Sequence, residues 1–342
     1  MAPAPLDIEQ PAALVAYLRD TGRVSPTETV RPRVLAGGVS NRTVLVELPD
    51  RSPPAAWVLK QALPKLRVAV DWFSDPARIR REAEGLRWLA ELAPPGTVTP
   101  LVFEDPGRFL LAMAAVPQPH ENWKAMLLAG RVEVGHVEQF GRLLGQIHRS
   151  SWDRRGEVAP AFDDRSFFES LRVEPYYQYT AGQVPEAVGF LGRLAADTRD
   201  RRFALTHGDY SPKNVLVYDD RLVLLDHEVI HWGDPAFDLG FGLTHLLSKA
   251  HHLPRHRNSL VGAAGRFWEA YRGELGAVPW GGDLERHAVQ HTLGCLLARV
   301  AGRSPLEYLT PDQRIWQRGR VVRLMADAPP TVPKLVESFL RP

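Results

Sequence analysis

One short β-rich island interrupts the second half of this 342-residue chain, in which apolar residues otherwise recur at helical spacing from about Pro117 onward. The island, residues 214 to 225, sits inside the stretch LTHGDYSPKNVLVYDDRLVLLDHE that runs from Leu205 to Glu228. Two apolar runs flank an Asp219-Asp220 turn, so the spacing predicts a hairpin. A hairpin brings its two outer ends together, here the loop carrying Asp209 and Asn214 and the loop carrying Asp226 and Glu228. Phosphoryl transfer needs such a set, because one aspartate must accept a hydroxyl proton while hard oxygen ligands hold Mg²⁺ against nucleotide phosphates. A turn with local side-chain hydrogen bonds would also account for Asp209 and Asn214. Asp226, at the far end of the hairpin, favours the chemical reading.

The first half reads differently. Residues 33 to 48, RVLAGGVSNRTVLVEL, and 56 to 61, AWVLKQ, predict two strands, with a turn from Pro49 to Pro54 between them. Pro76 to Leu92 places Ile79, Ala83, Leu86, Leu89 and Ala90 on one helical face. Val98 to Phe103 and Arg108 to Val116 are two further short apolar runs that suit strands, and a short helix over Asp7 to Arg19 leads the chain. The expectation is an α+β chain in two lobes, residues 1–115 and 116–342, because one core rarely serves so many residues. The second lobe takes helices over 137–148, 183–200, 255–275 and 293–300, with residues 214–225 as its only β segment.

Composition narrows the class. Of 342 residues, 44% are hydrophobic and 24% charged, which excludes a disordered or fibrous chain. The net charge of +2 and the lack of any block of like charge argue against nucleic acid or an acidic membrane as the main partner. Cys295 is the only cysteine, so no internal disulfide forms, and it reads as a small buried hydrophobe on a helix. No signal segment or run of 18 apolar residues is visible, and the expectation is a soluble cytoplasmic protein, a monomer or homodimer. The tract KAHHLPRHR of 249 to 257 is too irregular for a metal motif and reads as a solvated loop.

The segment HGDxxxxN, the apolar strand ending in an acidic residue and the DPAFDL of 234 to 239 resemble the aminoglycoside phosphotransferase and choline kinase superfamily of protein-kinase-like enzymes. The resemblance covers nearly the whole chain. It implies a bilobal kinase fold with ATP between the lobes, Asp209 as catalytic base, and Asn214 and Asp226 as magnesium ligands. Asp234 and Asp238 read as structural, Asp234 preceding Pro235 as a helix cap. In the first lobe, Gly37-Gly38-Val39-Ser40-Asn41 would let backbone approach phosphate, although a plain hairpin turn explains the same glycines. Lys60 follows in a strand at the place expected for a phosphate contact, though a lysine on an apolar strand can also simply reach for solvent. Glu82 is the chosen partner for Lys60, with Glu84 as fallback. Backbone groups from Met113 to Val116 would hold adenine.

Within that superfamily, VLKQALP at 58 to 64 and the Asp226-His227-Glu228 arrangement are similar to methylthioribose kinases, which implies that Glu228 is a further metal ligand. Two departures stand against that substrate: Asn214 differs from those kinases, and Ala298 replaces the first of their paired substrate arginines, leaving Arg299. Tyr177, His291 and Arg299 are the candidates for reading the acceptor, although the tyrosines around Tyr177 also suit lobe packing. The combined expectation is an ATP- and Mg²⁺-dependent kinase that phosphorylates a hydroxyl of a small molecule such as a sugar, amino alcohol or antibiotic. A nucleotide-binding pseudokinase is the rival from another class, and a metal-dependent phosphohydrolase is the rival among enzymes.

Overall fold

Alternation of apolar and polar residues between Asn41 and Ala62 gives this part of the chain two distinct faces, and the fold uses both. The computed structural model describes residues 6–36, 38–53, 55–67 and 71–340. It divides into two compact units, Met1–Ala90 with Thr99–Pro117, and Glu91–Val98 with Gln118–Pro342.

In the first unit, β1 (Arg31–Val34), β2 (Asn41–Leu48), β3 (Ala55–Ala62), β4 (Leu101–Asp105) and β5 (Leu110–Ala114) form one antiparallel sheet in the order β1-β2-β3-β5-β4. Val44, Val46 and Leu48 stand opposite Leu59, Trp57 and Ala55. That face joins Leu14 and Leu18 of α1 (Pro11–Asp20) in one buried cluster. Burial of each such leucine stabilises the unit by about 2 kcal/mol. The alternate residues point the other way: Lys60 lies between Thr43 and Leu111 in register, and its side chain meets Glu82 of α2 (Arg78–Leu92). Asp75 begins α2 by accepting the Ala77 amide at 2.8 Å, with Pro76 between them, as the Asp-Pro pair in the sequence implied.

The second unit is mainly helical. Its elements are β6 (Glu121–Asn122), α3 (Trp123–Leu128), α4 (Val134–Asp153), α5 (Arg155–Ala161), α6 (Ser166–Phe168), a π-helix over Glu169–Gln178, α7 (Tyr179–Gln183), α8 (Val188–Asp200), β7 (Ala204–Thr206), β8 (Val215–Tyr218), β9 (Arg221–Leu224), β10 (His231–Gly233), α9 (Pro235–His252), α10 (Arg257–Leu275), α11 (Leu284–Ala301), α12 (Pro311–Ala326) and α13 (Val332–Leu340). Helix α9 is buried along almost its whole length and packs on α11 and α10. Gly240 permits the α9–α11 approach, since a Cβ there would lie 2.4 Å from the Cβ of His291.

Two findings correct the sequence reading, and a third adds to it. The hairpin β8–β9 is not the only β structure in this half: β6 pairs with β8, and β7 with β10. Those strands are two or three residues long, too short for periodicity to betray them. The tract at 249 to 257 is a solvated loop only in its later part: α9 continues to His252 and Lys249 is fully buried, whereas Pro254 and Arg255 are exposed. The residues Glu174 to Tyr179 lie mostly in a π-helix with Pro175 inside it. A proline cannot satisfy the carbonyl one α-turn back, and a widened turn relieves the clash.

Candidate active site

The loop between β7 and β8 is held by bonds from α9 and α4, backed by a tyrosine of α10. Gly208 has φ +76, and a Cβ there would sit 2.9 Å from Val229 Cγ2 and 3.0 Å from the Val229 carbonyl, so this position needs glycine. Asp238 of α9 accepts the His207 amide at 2.6 Å and the Gly208 amide at 2.8 Å. His148 Nε2 of α4 lies 3.3 Å from Asp238 Oδ2, and Tyr271 of α10 lies 3.0 Å from His148 Nδ1. Tyr210 stacks on Phe140 and donates to the Phe140 carbonyl at 2.6 Å. The loop is therefore held from behind by buried groups, which leaves little freedom for the residues at its front.

Asp209 and Asn214 come together: Asn214 Nδ2 donates to Asp209 Oδ2 at 2.8 Å and to the Asp209 carbonyl at 3.0 Å. This contact uses the side-chain amide nitrogen and leaves the side-chain oxygen, Asn214 Oδ1, for another partner. His207 ties the second loop to the first. Its Nδ1 accepts the Asp209 amide at 3.2 Å, so its Nε2 carries the hydrogen and donates to the Leu225 carbonyl at 3.2 Å. Burial holds the His207 imidazole below its usual range, consistent with this neutral tautomer. The Leu225 amide in turn donates to the Asn214 carbonyl at 2.9 Å. Asp226 follows in the left-handed region, φ 69, after which Glu228 is buried. At the hairpin tip, Asp219 and Asp220 take φ 49 and φ 56, the conformation of a two-residue hairpin turn.

Sequence reasoning missed Arg172. It lies in the π-helix and is nearly fully buried. Its Nη2 pairs with Asp209 Oδ2 at 2.9 Å, and its Nε donates to the Gly208 carbonyl at 2.8 Å. Burial works against the guanidinium charge, yet Asp209, Tyr176, Glu228 and Asp226 outweigh it and hold Arg172 above its ordinary value. The field at this point is thus strongly negative. The only clue in the sequence was an arginine set between Leu171 and Val173 in an apolar stretch.

The donor set suits a hard cation. Among the described residues no three His, Cys, Asp or Glu side chains converge as a metal cage. Mg²⁺ is held by one or two carboxylates with waters and phosphates, so Asp226, Glu228 and the amide oxygen of Asn214 fit it better than they fit zinc or calcium.

In the first unit, Lys60 Nζ lies 2.6 Å from Glu82 Oε1, and Glu82 is fully buried. Glu84 instead pairs with Arg81 at 3.1 Å. Gly37 lies outside the described residues. Gly38, Ser40 and Asn41 lead into β2, where the Ser40 carbonyl accepts both the Leu63 amide at 3.0 Å and the buried Arg78 guanidinium. Asn41 Nδ2 donates to Ser40 Oγ at 3.2 Å. Met113 lies in β5 opposite Val58, and Val116 follows the strand; both are buried.

The three acceptor-reading residues fare less well. Tyr177 and His291 are fully buried, 2.6 Å apart, and His291 Nε2 lies 3.3 Å from Asp234 Oδ2. Asp234 also caps α9 through the Ala236 amide and pairs with Arg201 at 3.0 Å. Both side chains are spent on packing, which corrects their assignment to the substrate. Arg299 is nearly buried and donates to the Ser304 carbonyl at 2.8 Å, beside the rings of Tyr176 and Phe241. Cys295 is buried in α11, and burial pushes its thiol up to about 12, so it is unreactive.

The profile of the phosphotransferase enzyme family matches residues 32–273. Methylthioribose kinase from Pectobacterium atrosepticum is 27% identical over 277 residues, 74% of this chain and 68% of that protein. Among solved structures, choline kinase LicA from Streptococcus pneumoniae matches with a TM-score of 0.53 at 16% identity, over 93% of this chain and 99% of its own. Macrolide 2'-phosphotransferase MphH from Brachybacterium faecium matches with a TM-score of 0.50 at 19% identity, over 93% and 98%. At these identities the structures speak for a shared fold.

Proposed function

Because the chain belongs to the phosphotransferase enzyme family, we propose that it transfers the γ-phosphoryl group of ATP to a hydroxyl of a small molecule, with Mg²⁺ as its cofactor. The observation that carries this reading is the junction of Asp209, Asn214 and the Asp226 loop through His207 and the Leu225 backbone. Asp209 orients the acceptor hydroxyl and takes its proton. Arg172 fixes one oxygen of the Asp209 carboxylate and leaves the other for the acceptor. Asn214 and Asp226 hold the metal, with Glu228 as a further carboxylate. The metal supplies charge neutralisation on the phosphates when bound. Lys60, kept in place by Glu82, grips phosphate, while the backbone from Gly38 to Asn41 approaches phosphate and that from Met113 to Val116 receives adenine. The likeness to methylthioribose kinase supports a sugar or polyol hydroxyl as acceptor.

The test is Asp209→Asn, which keeps the hydrogen-bonding shape and removes the base. It should abolish acceptor-dependent release of nucleoside diphosphate while nucleotide binding stays within a few-fold of wild type. Retained turnover with the proper acceptor would sink the assignment of Asp209.

A further inference from the structure

Asp238, Phe241, His245 and Lys249 follow one another at helical spacing along one face of α9. The first of them holds the loop that carries Asp209. Phe241 lies beside Tyr176, Arg172 and Arg299. His245 Nε2 lies 3.2 Å from Arg299 Nη2, and since arginine only donates, His245 accepts and is neutral. Burial and the nearby Arg299 press its imidazole well below the usual range. The last residue on this face, Lys249, has no carboxylate partner among the described residues. Its Nζ donates to the His245 carbonyl of its own helix at 3.2 Å and lies 5.4 Å from the centre of the Tyr308 ring.

A buried ammonium without an acid is costly, and folds retain one where a function requires it. The surroundings deepen the anomaly. Lys124 Nζ lies 6.0 Å from the same tyrosine ring, on its way to Glu307. The Tyr308 hydroxyl and Arg299 Nε are buried with no hydrogen-bond partner among the described residues. Lys124, Lys249 and Arg299 thus gather around one tyrosine and one histidine. Among the described residues the carboxylate that enters is Glu307, whose side chain is 66% exposed.

We propose that Lys249, Lys124 and Tyr308 form an anion subsite of the acceptor pocket, with Glu307 occupying it until the acceptor arrives. The proposal rests on the kinase reading above and narrows the acceptor to a hydroxyl compound bearing a carboxylate or phosphate. From Asp238 to Lys249 the helix rises by roughly 16 Å, and lysine side chains lean back toward the N-terminus. The acidic group of the acceptor therefore binds well away from the reacting hydroxyl.

Diphosphate release is measured at constant ionic strength with neutral polyols, amino alcohols, sugar acids and sugar phosphates, the last two separating a carboxylate from a phosphate. The expected result is turnover of an anionic acceptor, with KM raised at least tenfold and kcat changed less in both Lys249→Met and Lys124→Ala. Lys124 is partly exposed, so its variant folds irrespective of the core. Preference for neutral or cationic acceptors, or an unchanged KM in both variants, overturns the subsite and leaves the kinase reading standing. A second readout does not depend on turnover: inorganic phosphate should raise the melting temperature of wild type and of Lys60→Met, and of Lys249→Met markedly less. Equal rises in all three, or none in wild type, overturn the subsite. Loss of diphosphate release with every acceptor, alongside a phosphate effect that depends on Lys249, is instead the signature of a failed kinase reading.

Discussion

Replacing Lys249 by methionine keeps the length of the side chain and removes a charge that the fold buries without an acid. Burial, with Lys124 and Arg299 nearby, pushes Lys249 from its ordinary 10.5 down to about 7, with Glu307 opposing the fall. At about 1.4 kcal/mol for each pH unit between the two values, the charged form costs the folded state at most about 5 kcal/mol. Relaxation and lost packing reduce this, and a gain of about 1 to 4 kcal/mol is the expectation for Lys249→Met. Its pH dependence is the sharper signature. Below about pH 7 the lysine is charged in both folded and unfolded chains, and the wild type bears the whole penalty. Between about 7 and 10.5 the unfolded chain binds the extra proton, so wild-type stability gains with rising pH and the advantage of methionine fades. The titrating groups facing Lys249 leave that window clear, since burial presses His245 downward and Tyr308 upward, and burial of Glu307 is outweighed by its bond to Lys124 together with the charges of Lys124 and Arg299, which hold it below its ordinary value. Urea unfolding of both proteins at pH 6 and pH 9.5 measures the difference. A variant less stable than wild type at pH 6, or a difference that does not move with pH, refutes the reasoning.

Two further perturbations test the loop around Asp209. Arg172→Gln leaves the Asp209 carboxylate buried beside Asn214 alone and should cost about 3 kcal/mol in urea unfolding. Combined with Asp209→Asn it should cost less than the sum of the two single changes, and additivity within about 0.5 kcal/mol would show that the pair is not coupled. Gly208→Ala sets a Cβ against Val229 at a left-handed backbone position. A loss of about 2 to 4 kcal/mol in thermal or urea unfolding is expected, and a neutral result would mean that the loop shifts easily.

Much of this site was legible because its chemistry is local in sequence. Asp209 and Asn214 share one loop, and Asp226 ends a hairpin whose two-aspartate turn can be read directly, so the convergence followed from strand geometry alone. Lys60 and Glu82 are 22 positions apart, and Glu82 is preferred to Glu84 because it follows the basic pair Arg80-Arg81 as in related sequences; in the structure Glu82 meets Lys60 and Glu84 meets Arg81. The α+β arrangement followed from the change of period near Pro117.

What stayed hidden shares a different cause. Arg172 sits in a π-helix, for which no periodic signature exists, and its partner Asp209 is reached only through the tertiary fold. Lys249 was misread because a Lys-Ala-His-His tract looks solvated in isolation, whereas the helix beneath it is buried on every side by α10, α11 and the segment around Tyr308. Tyr177 and His291 were misread in the opposite sense. Polar tips on aromatic residues suggest a pocket, yet here they satisfy each other and Asp234 beneath the helix cap. Sequence pattern thus marks where polar groups stand along an element, but whether a buried one is spent on packing or held for a ligand is decided by its unmet hydrogen bonds. By that measure Tyr177 and His291 are spent, while the Tyr308 hydroxyl and Arg299 Nε have no hydrogen-bond partner among the described residues, and Lys249 has only a carbonyl of its own helix.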